Sequence, residues 1–211
     1  MIKSFITKTR WLVTIILLTT LSIGQMWGTD VTLTESEIKS NFTSSAHAYG
    51  AGAASYVDGS LTWYLGDYNC TANSKWFQIR KNQGCYLKIT SPANTKITSL
   101  TLTITSATNS SGGAQDISRH TAYSGRIALL TSDAAGSSSM TGVGYTETIS
   151  SNSATISVSG TNRELYLKTQ NAARIWGASV TYVSTGTSVS LSKAATTNGS
   201  FKLRSASCSG S

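Results

Sequence analysis

Charge, proline, histidine and cysteine are all scarce in this chain, and each shortage narrows what it can be. Charged residues make up 12% of the 211, beside one proline, two histidines and three cysteines. So few metal-ligating side chains, so widely spaced, do not form a zinc site. Roughly a third of the residues are Ser or Thr, yet apolar residues recur regularly from Leu61 to Tyr182. A disordered stalk lacks such spacing, so a folded domain is expected.

A long apolar run is also missing. Residues 11–23 form a mostly apolar run of 13, whereas a membrane-spanning helix needs about 20. Three basic residues precede it: Lys3, Lys8 and Arg10. Small and polar residues follow, which predicts a secretory signal peptide over residues 1–28, cut after Gly28 or alternatively after Gly24. We therefore expect a secreted or cell-surface protein with no membrane insertion after signal removal; the alternative is an uncleaved anchor.

The net charge of +8 is concentrated at the two ends of the chain. Three basic residues belong to the predicted signal peptide and three more lie beyond Gly186. All nine acidic residues lie between Asp30 and Glu164, together with 11 basic ones, so the central part carries only +2. Proteins that bind nucleic acid present strongly basic surfaces. No nucleic-acid partner is expected.

Apolar and polar residues alternate along much of the chain, with turn-forming clusters between the segments. The alternating apolar residues are Leu61, Trp63, Leu65, Phe77, Ile79, Leu87, Ile89, Leu100, Leu102, Ile104, Ile127, Leu129, Ile156, Val158, Leu165, Leu167, Trp176, Ala178, Val180 and Tyr182. A period of two is typical of antiparallel strands with one buried face. The pattern predicts an all-β fold, an antiparallel β-sandwich of eight to ten short strands with jelly-roll-like topology. Trp176 is expected in its core.

One short helix is predicted near the start of the domain. Thr34 and Glu37 have the spacing of a capping box, and Ile38 and Phe42 lie one helical turn apart. We expect the β-sandwich domain to cover residues 29–184. Residues 185–211 then form a linker with either a tail or the truncated start of a further β module, as in a longer multi-module chain.

A hairpin is predicted around Gly84. If residues 82–84 form a three-residue loop, Ile79 faces Leu87 and Phe77 faces Ile89. Only this register places both apolar faces on the same side, because a shift of one residue would reverse one of them.

The polar face of this predicted hairpin has the composition of a sugar-binding platform. Its residues are Trp76, Gln78, Arg80, Tyr86 and Lys88, which Tyr64, Tyr68 and Asn69 could extend. An exposed aromatic ring offers an apolar plate, while the Arg, Gln and Lys side chains donate hydrogen bonds around it. The alternative is that Trp76 and Tyr86 pack beneath a neighbouring loop.

Cys70 and Cys85 could form a disulfide in an exported protein. The closed loop of about 15 residues would contribute about 3 kcal/mol. The alternative is two unpaired thiols.

No catalytic constellation is evident. His47 and His120 fall in predicted loops, and no serine has the context of a nucleophile elbow. The acidic residues adjoin turn-forming residues, which accounts for them without a catalytic pair. The chain is expected not to be an enzyme. No cofactor is expected, although Asp58, Asp67 and Asp116 are candidates for a structural calcium ion, with plain loop residues as the alternative.

Three segments resemble the N-terminal β-sandwich modules of exported, multi-module surface proteins of Bacteroidota. They are the end of the signal at residues 24–28, the Thr-rich strand at residues 96–104 and the segment at residues 173–182. The resemblance implies a jelly-roll domain, galactose-binding-like in outline, with a non-catalytic role. We therefore expect a binding or accessory module that contacts polysaccharide or a cell-surface glycan. The alternatives are a structural spacer or adhesion domain without a small ligand and, third, a secreted hydrolase.

Overall fold

Strands dominate the computed structural model, which describes residues 28–82, 84–107, 117–133 and 145–186. They are β1 (Thr29–Leu33), β2 (Ala54–Asp58), β3 (Leu61–Leu65), β4 (Phe77–Ile79), β5 (Leu87–Thr90), β6 (Thr95–Ser106), β7 (Ile127–Leu130), β8 (Tyr145–Ser150), β9 (Ser153–Val158), β10 (Glu164–Thr169) and β11 (Ala173–Ser184). The α-helix α1 covers Glu35–Asn41, and a 3₁₀ turn covers Ile117–Arg119. Nearly all of the predicted signal peptide and of the segment after Ser184 lies outside the described residues.

The strands form two antiparallel sheets that pack face to face. The six-stranded sheet has the order β1-β11-β6-β9-β8, and β4 also pairs with β11. The five-stranded sheet has the order β2-β3-β5-β10-β7. From β3 to β11 the chain changes sheet at every connection except the one between β8 and β9. This is a jelly-roll arrangement, so the predicted all-β sandwich is confirmed.

The core lies between the sheets and is built by the alternating residues. Trp63, Leu87 and Leu167 face inward from the five-stranded sheet, and Leu102 and Val180 face them from the other. Burying each such aliphatic side chain contributes about 1.5–3 kcal/mol. Trp176 is also buried, as its apolar surroundings predicted.

Helix α1 begins with a capping box formed by Thr34 and Glu37, as predicted. The Glu37 N–H donates to Thr34 Oγ1 at 3.3 Å, and the Thr34 N–H donates to Glu37 Oε2 at 2.7 Å. Ile38 and Phe42 are both buried, which fixes the apolar side of the helix against the sandwich. Within the part of the chain that the structure describes, no helix is long and apolar enough to cross a membrane.

The predicted hairpin is wrong in its pairing. Strand β4 pairs with β11 in the six-stranded sheet, whereas β5 pairs with β3 and β10 in the five-stranded sheet. The turn itself exists: Gly84 has φ +83°, and the Cys85 N–H donates to the Asn82 carbonyl at 3.1 Å. It connects the two sheets. Alternation identifies which side chains of a strand are buried. The pattern is the same whether two strands are neighbours in one sheet or lie in opposite sheets, so it does not determine the pairing.

The possible disulfide between Cys70 and Cys85 does not form. Cys70 and Cys85 are both buried and free. The Cys70 thiol donates to the Ser45 carbonyl at 3.5 Å, and the Cys85 thiol donates to Asp67 Oδ2 at 3.4 Å. Burial raises the pKa of both thiols. The two residues therefore correspond to the alternative of unpaired thiols.

Candidate functional site

The outer face of the five-stranded sheet gathers aromatic and charged side chains from three neighbouring strands. Tyr64 on β3 lies opposite Lys88 on β5, and Lys88 lies opposite Tyr166 on β10. Tyr86 directly precedes β5 and points to the same side. We call Tyr64, Tyr86, Lys88, Glu164 and Tyr166 the tyrosine face. These side chains point outward because each alternates with a buried core residue.

The three rings of the tyrosine face lie next to one another. The ring centroids of Tyr64 and Tyr86 are 6.0 Å apart with an angle of 26° between the planes. Those of Tyr86 and Tyr166 are 5.0 Å apart with an angle of 57°. Burial raises the pKa of Tyr86 to about 12, and the neighbouring phenols of Tyr64 and Tyr166 add to the shift. The Tyr86 hydroxyl therefore stays protonated at neutral pH and can donate a hydrogen bond.

Gly66 makes room for the Tyr86 ring. A Cβ atom at Gly66 would lie 2.5 Å from Cε1 and Cζ of Tyr86 and would also overlap the Gly84 carbonyl. The Gly66 N–H donates to the Tyr86 carbonyl at 3.1 Å. The ring therefore packs against the backbone just after β3, in space that any larger residue would occupy.

Lys88 and Glu164 form an ion pair within the tyrosine face. The Lys88 amine lies 3.1 Å from Glu164 Oε1, which also accepts from the Thr90 hydroxyl at 3.2 Å. The hydrogen bond from Lys88 lowers the pKa of Glu164. Burial alone would lower the pKa of Lys88, but the hydrogen bond and charge of Glu164 raise it. Both groups are therefore charged at neutral pH.

A second ion pair, between Lys168 and Asp133, lies beneath the tyrosine face. The Lys168 amine, whose side chain is 1% exposed, donates to Asp133 Oδ1 and to the Asn82 carbonyl at 3.2 Å. The other Asp133 oxygen accepts from the Gly84 N–H at 2.9 Å. These contacts tie the turn before Tyr86 to β10. The Lys168 amine also lies 5.9 Å from the Tyr86 ring centroid.

The structure separates the residues predicted to form the sugar platform. Tyr86, Lys88 and Tyr64 do share one face. Trp76 does not: only 2% of it is exposed, and it packs against Trp176 with ring centroids 6.4 Å apart. The exposed platform is therefore wrong for Trp76, and the alternative of a packed ring holds, because Trp176 and the Arg174 guanidinium cover it.

Gln78 and Arg80 lie away from the tyrosine face, around Tyr49. The Gln78 amide donates to the Tyr49 hydroxyl at 3.1 Å, and the Arg80 guanidinium lies 3.7 Å from the Tyr49 ring centroid. Asn69 pairs with Gln78 through backbone hydrogen bonds. Tyr68 is buried, and its hydroxyl donates to the Phe42 carbonyl.

Sequence reasoning missed four residues at or beneath the tyrosine face: Asp133, Glu164, Tyr166 and Lys168. The alternation around Leu165 and Leu167 does place Glu164, Tyr166 and Lys168 on an outer face. It could not show that β10 pairs with β5, and only that pairing brings Tyr166 next to Tyr86.

The histidines and most acidic residues serve structural contacts. The His47 ring stacks on Tyr68 with centroids 3.9 Å apart, and His120 Nδ1 lies 2.8 Å from Arg174 Nη1. Asp67 accepts the Gly50 N–H at 2.8 Å. In the described ranges no group of three or more His, Cys, Asp and Glu side chains could hold a metal ion. Asp116, one of the calcium candidates, lies outside those ranges.

Comparison with protein-family models, curated proteins and solved structures gave no match to this chain. The resemblance to surface-protein modules of Bacteroidota therefore stays a prediction from the sequence. Fold and site define the chain only as a jelly-roll β-sandwich with an aromatic outer face.

Proposed function

We propose that this domain is a non-catalytic module that binds polysaccharide or a cell-surface glycan through the tyrosine face. The observation that carries the proposal is the set of three adjacent tyrosine rings on neighbouring strands, bordered by Lys88 and Glu164. The C–H groups of a sugar ring pack on aromatic faces, and its hydroxyls accept and donate hydrogen bonds to the polar groups at the border.

The charge state of the tyrosine face argues for binding without hydrolysis. Glycoside hydrolysis needs a carboxylic acid with a raised pKa near a second carboxylate. Glu164 has a lowered pKa because Lys88 pairs with it, and Asp133 is engaged with Lys168 and the Gly84 N–H. Neither group is poised to protonate a leaving sugar.

Export and a multi-module setting complete the proposal. The order of charged, apolar and small residues over positions 1–28 supports secretion. The multi-module setting rests on the resemblance of residues 24–28, 96–104 and 173–182 to the modules of multi-module surface proteins. An exported module of this kind would hold its parent protein on a glycan.

Retention on polysaccharides tests the proposal. The full chain would be run by affinity electrophoresis through gels containing a panel of soluble polysaccharides. Tyr64→Ala and Tyr166→Ala should each weaken retention by about tenfold or more, since losing a stacking contact costs at least about 1–2 kcal/mol at a binding hot spot. Thr155→Ala, at an exposed position of the six-stranded sheet, is the matched control and should bind normally.

Two results would count against this assignment. Unchanged retention of folded Tyr64→Ala and Tyr166→Ala variants would show that the tyrosine face is not the site. Failure of the wild-type chain to bind any polysaccharide in the panel would reject carbohydrate binding altogether. Circular dichroism and thermal unfolding would establish that each variant is folded.

A structural spacer or adhesion domain is the second candidate, and the six-stranded sheet favours it. Its outer face carries a row of aligned hydroxyl side chains: Thr32, Ser179, Thr101, Thr155 and Thr148. None of these five side chains is charged, and the burial of Trp76 removes a large aromatic side chain from the surface. A chain that retains no polysaccharide while remaining folded would support this role.

A further inference from the structure

We infer that the tyrosine face selects uncharged, linear polysaccharides over acidic ones, and that Glu164 determines this selectivity by neutralising Lys88. This inference rests on the proposed function, because it specifies the ligand class of the same site. It follows from the charge pairing, the exposure and the spacing of the residues that form the face.

Both amines at this surface are already paired with carboxylates. Lys88 contacts Glu164, and Lys168 contacts Asp133. Uronic-acid or sulfated glycans are usually held by unpaired cations that approach their anionic groups directly. Here an acidic ligand would have to displace the carboxylate that already pairs with the amine. The loss of that ion pair would cancel most of the binding free energy gained from the new one.

Exposure strengthens the discrimination against anions. The Lys88 side chain is 25% exposed, whereas its partner Glu164 is 43% exposed. The more accessible member of the pair is therefore the negative one. Glu164 therefore presents a carboxylate that repels a negatively charged sugar, which disfavours the wrong ligand. The neighbouring cation Arg163 also acts on this carboxylate, and its Nε–H donates to the Ser91 carbonyl at 2.8 Å. An uncharged sugar meets no such repulsion and can use both groups as hydrogen-bond partners.

The spacing of the rings indicates a chain of sugars. Tyr64, Tyr86 and Tyr166 come from the neighbouring strands β3, β5 and β10, or from the residues next to them. Strands in a sheet are about 4.8 Å apart, so the outer two tyrosines span about 10 Å across the strands. That length exceeds one sugar ring. An extended chain lying across the strands would contact several rings at once.

A polysaccharide pair with the same backbone provides the test. Highly methyl-esterified pectin and its de-esterified form, polygalacturonate, differ chiefly in charge, as do hydroxyethyl cellulose and carboxymethyl cellulose. The wild-type chain should be retained by the uncharged members and not by the acidic ones. Its retention should be unchanged between about 0.05 and about 0.5 M NaCl, because an interaction without net charge is not screened.

Variants of the Lys88–Glu164 ion pair then test whether this pair causes the selectivity. Glu164→Gln leaves the Lys88 amine without its counter-ion, so this variant should gain retention on the acidic members at low salt and lose it at high salt. The double variant Glu164→Gln/Lys88→Met removes the amine as well, so it should not gain retention on the acidic polysaccharides. Circular dichroism would verify folding.

The outcomes separate this inference from the proposed function. Retention of the wild type only by acidic polysaccharides, weakened by salt, would overturn the inference and leave carbohydrate binding intact. A folded Glu164→Gln variant with unchanged selectivity would overturn the role of Glu164. Absence of retention on every polysaccharide would reject the proposed function itself. The salt dependence of the wild type does not depend on how any variant folds.

Discussion

Trp76 and Tyr86 are both aromatic, yet they lie in opposite environments. Trp76 is buried, with the Arg174 guanidinium 4.3 Å from its ring centroid. Tyr86 lies half-buried on the outer face of the other sheet, beside Tyr64 and Tyr166. At the scale of the residue, only Tyr86 can contact a ligand, and Trp76 contributes to stability.

Truncation of Trp76 should therefore unfold the protein more easily without removing the site. We expect Trp76→Ala to lower the free energy of unfolding by about 3–5 kcal/mol, the usual cost of deleting a large buried aromatic. The milder Trp76→Phe should remain folded and retain polysaccharide as the wild type does. Urea denaturation measures the first effect and affinity electrophoresis the second. A Trp76→Phe variant that folds but no longer binds would place Trp76 at the site after all.

The Lys88–Glu164 pair gives a defined dependence on pH. Glu164 has a folded-state pKa below its ordinary value of 4.5, so its contribution to stability is present above that value and is lost as the pH falls through the folded-state pKa. Because the carboxylate is partly exposed, solvent screening limits the contribution to about 1 kcal/mol or less.

Glu164→Gln should remove this dependence. The difference in unfolding free energy between the wild type and Glu164→Gln should be constant near neutral pH and should shrink as the pH falls below about 4.5. Chemical denaturation at a series of pH values measures it. A difference that grows on acidification would contradict the assigned ion pair.

At the scale of the element, the turn at Gly84 connects two sheets, which is a larger role than that of a hairpin loop. It carries the chain from β4 in one sheet to β5 in the other, and Gly84 adopts the left-handed conformation that the turn requires. Asp133 and Lys168 anchor it to β10. Tyr86 follows directly, so the position of its ring depends on this connection.

Gly66 is the second backbone feature that positions Tyr86. We expect Gly66→Ala to displace the Tyr86 ring or the backbone at Gly84, because a Cβ atom would overlap both. The result should be a loss of stability of about 1–3 kcal/mol, as in other overpacked sites, together with weaker retention on polysaccharide. Urea denaturation and affinity electrophoresis measure the two effects. Normal stability and binding in this variant would show that the close approach is not required.

At the scale of the whole molecule, the sandwich presents two different outer faces. The five-stranded sheet carries the tyrosine face, and the six-stranded sheet carries rows of Ser and Thr hydroxyls. One extensive core connects them, with apolar residues contributed by both sheets. The fold therefore needs neither a disulfide nor a metal ion to bury a core of ordinary size.

The buried cysteines provide a test of this arrangement. Cys70 and Cys85 should resist alkylation by iodoacetamide in the native protein and react after unfolding, since burial hides both thiols and raises the pKa of each. Peptide mapping by mass spectrometry would report each site, and addition of a reducing agent should not change the melting temperature. A peptide cross-linked through Cys70 and Cys85 would contradict the structure.

Much of this protein could be predicted from its sequence, because periodicity is a local property. Alternation identified the buried residues of the strands, and the spacing of Thr34 and Glu37 identified the helix start. Strand β2 was not predicted, because none of its residues is fully buried and its Val57 is exposed, so it has no alternating apolar pattern. Strand β8 was not predicted either. Tyr86, Lys88 and Tyr64 were recognised as one outer face, although the predicted pairing around them was wrong.

What the sequence determined by itself is which side chains point inward and which outward along each strand. Only the tertiary structure decided which strands are neighbours, because pairing depends on contacts between residues far apart in the chain. In the observed pairing Trp76 is buried, and Gln78 and Arg80 contact Tyr49. The same pairing places Tyr166 and Glu164 of β10 beside Tyr86 and Lys88. The tyrosine face therefore exists because two distant segments pair in one register.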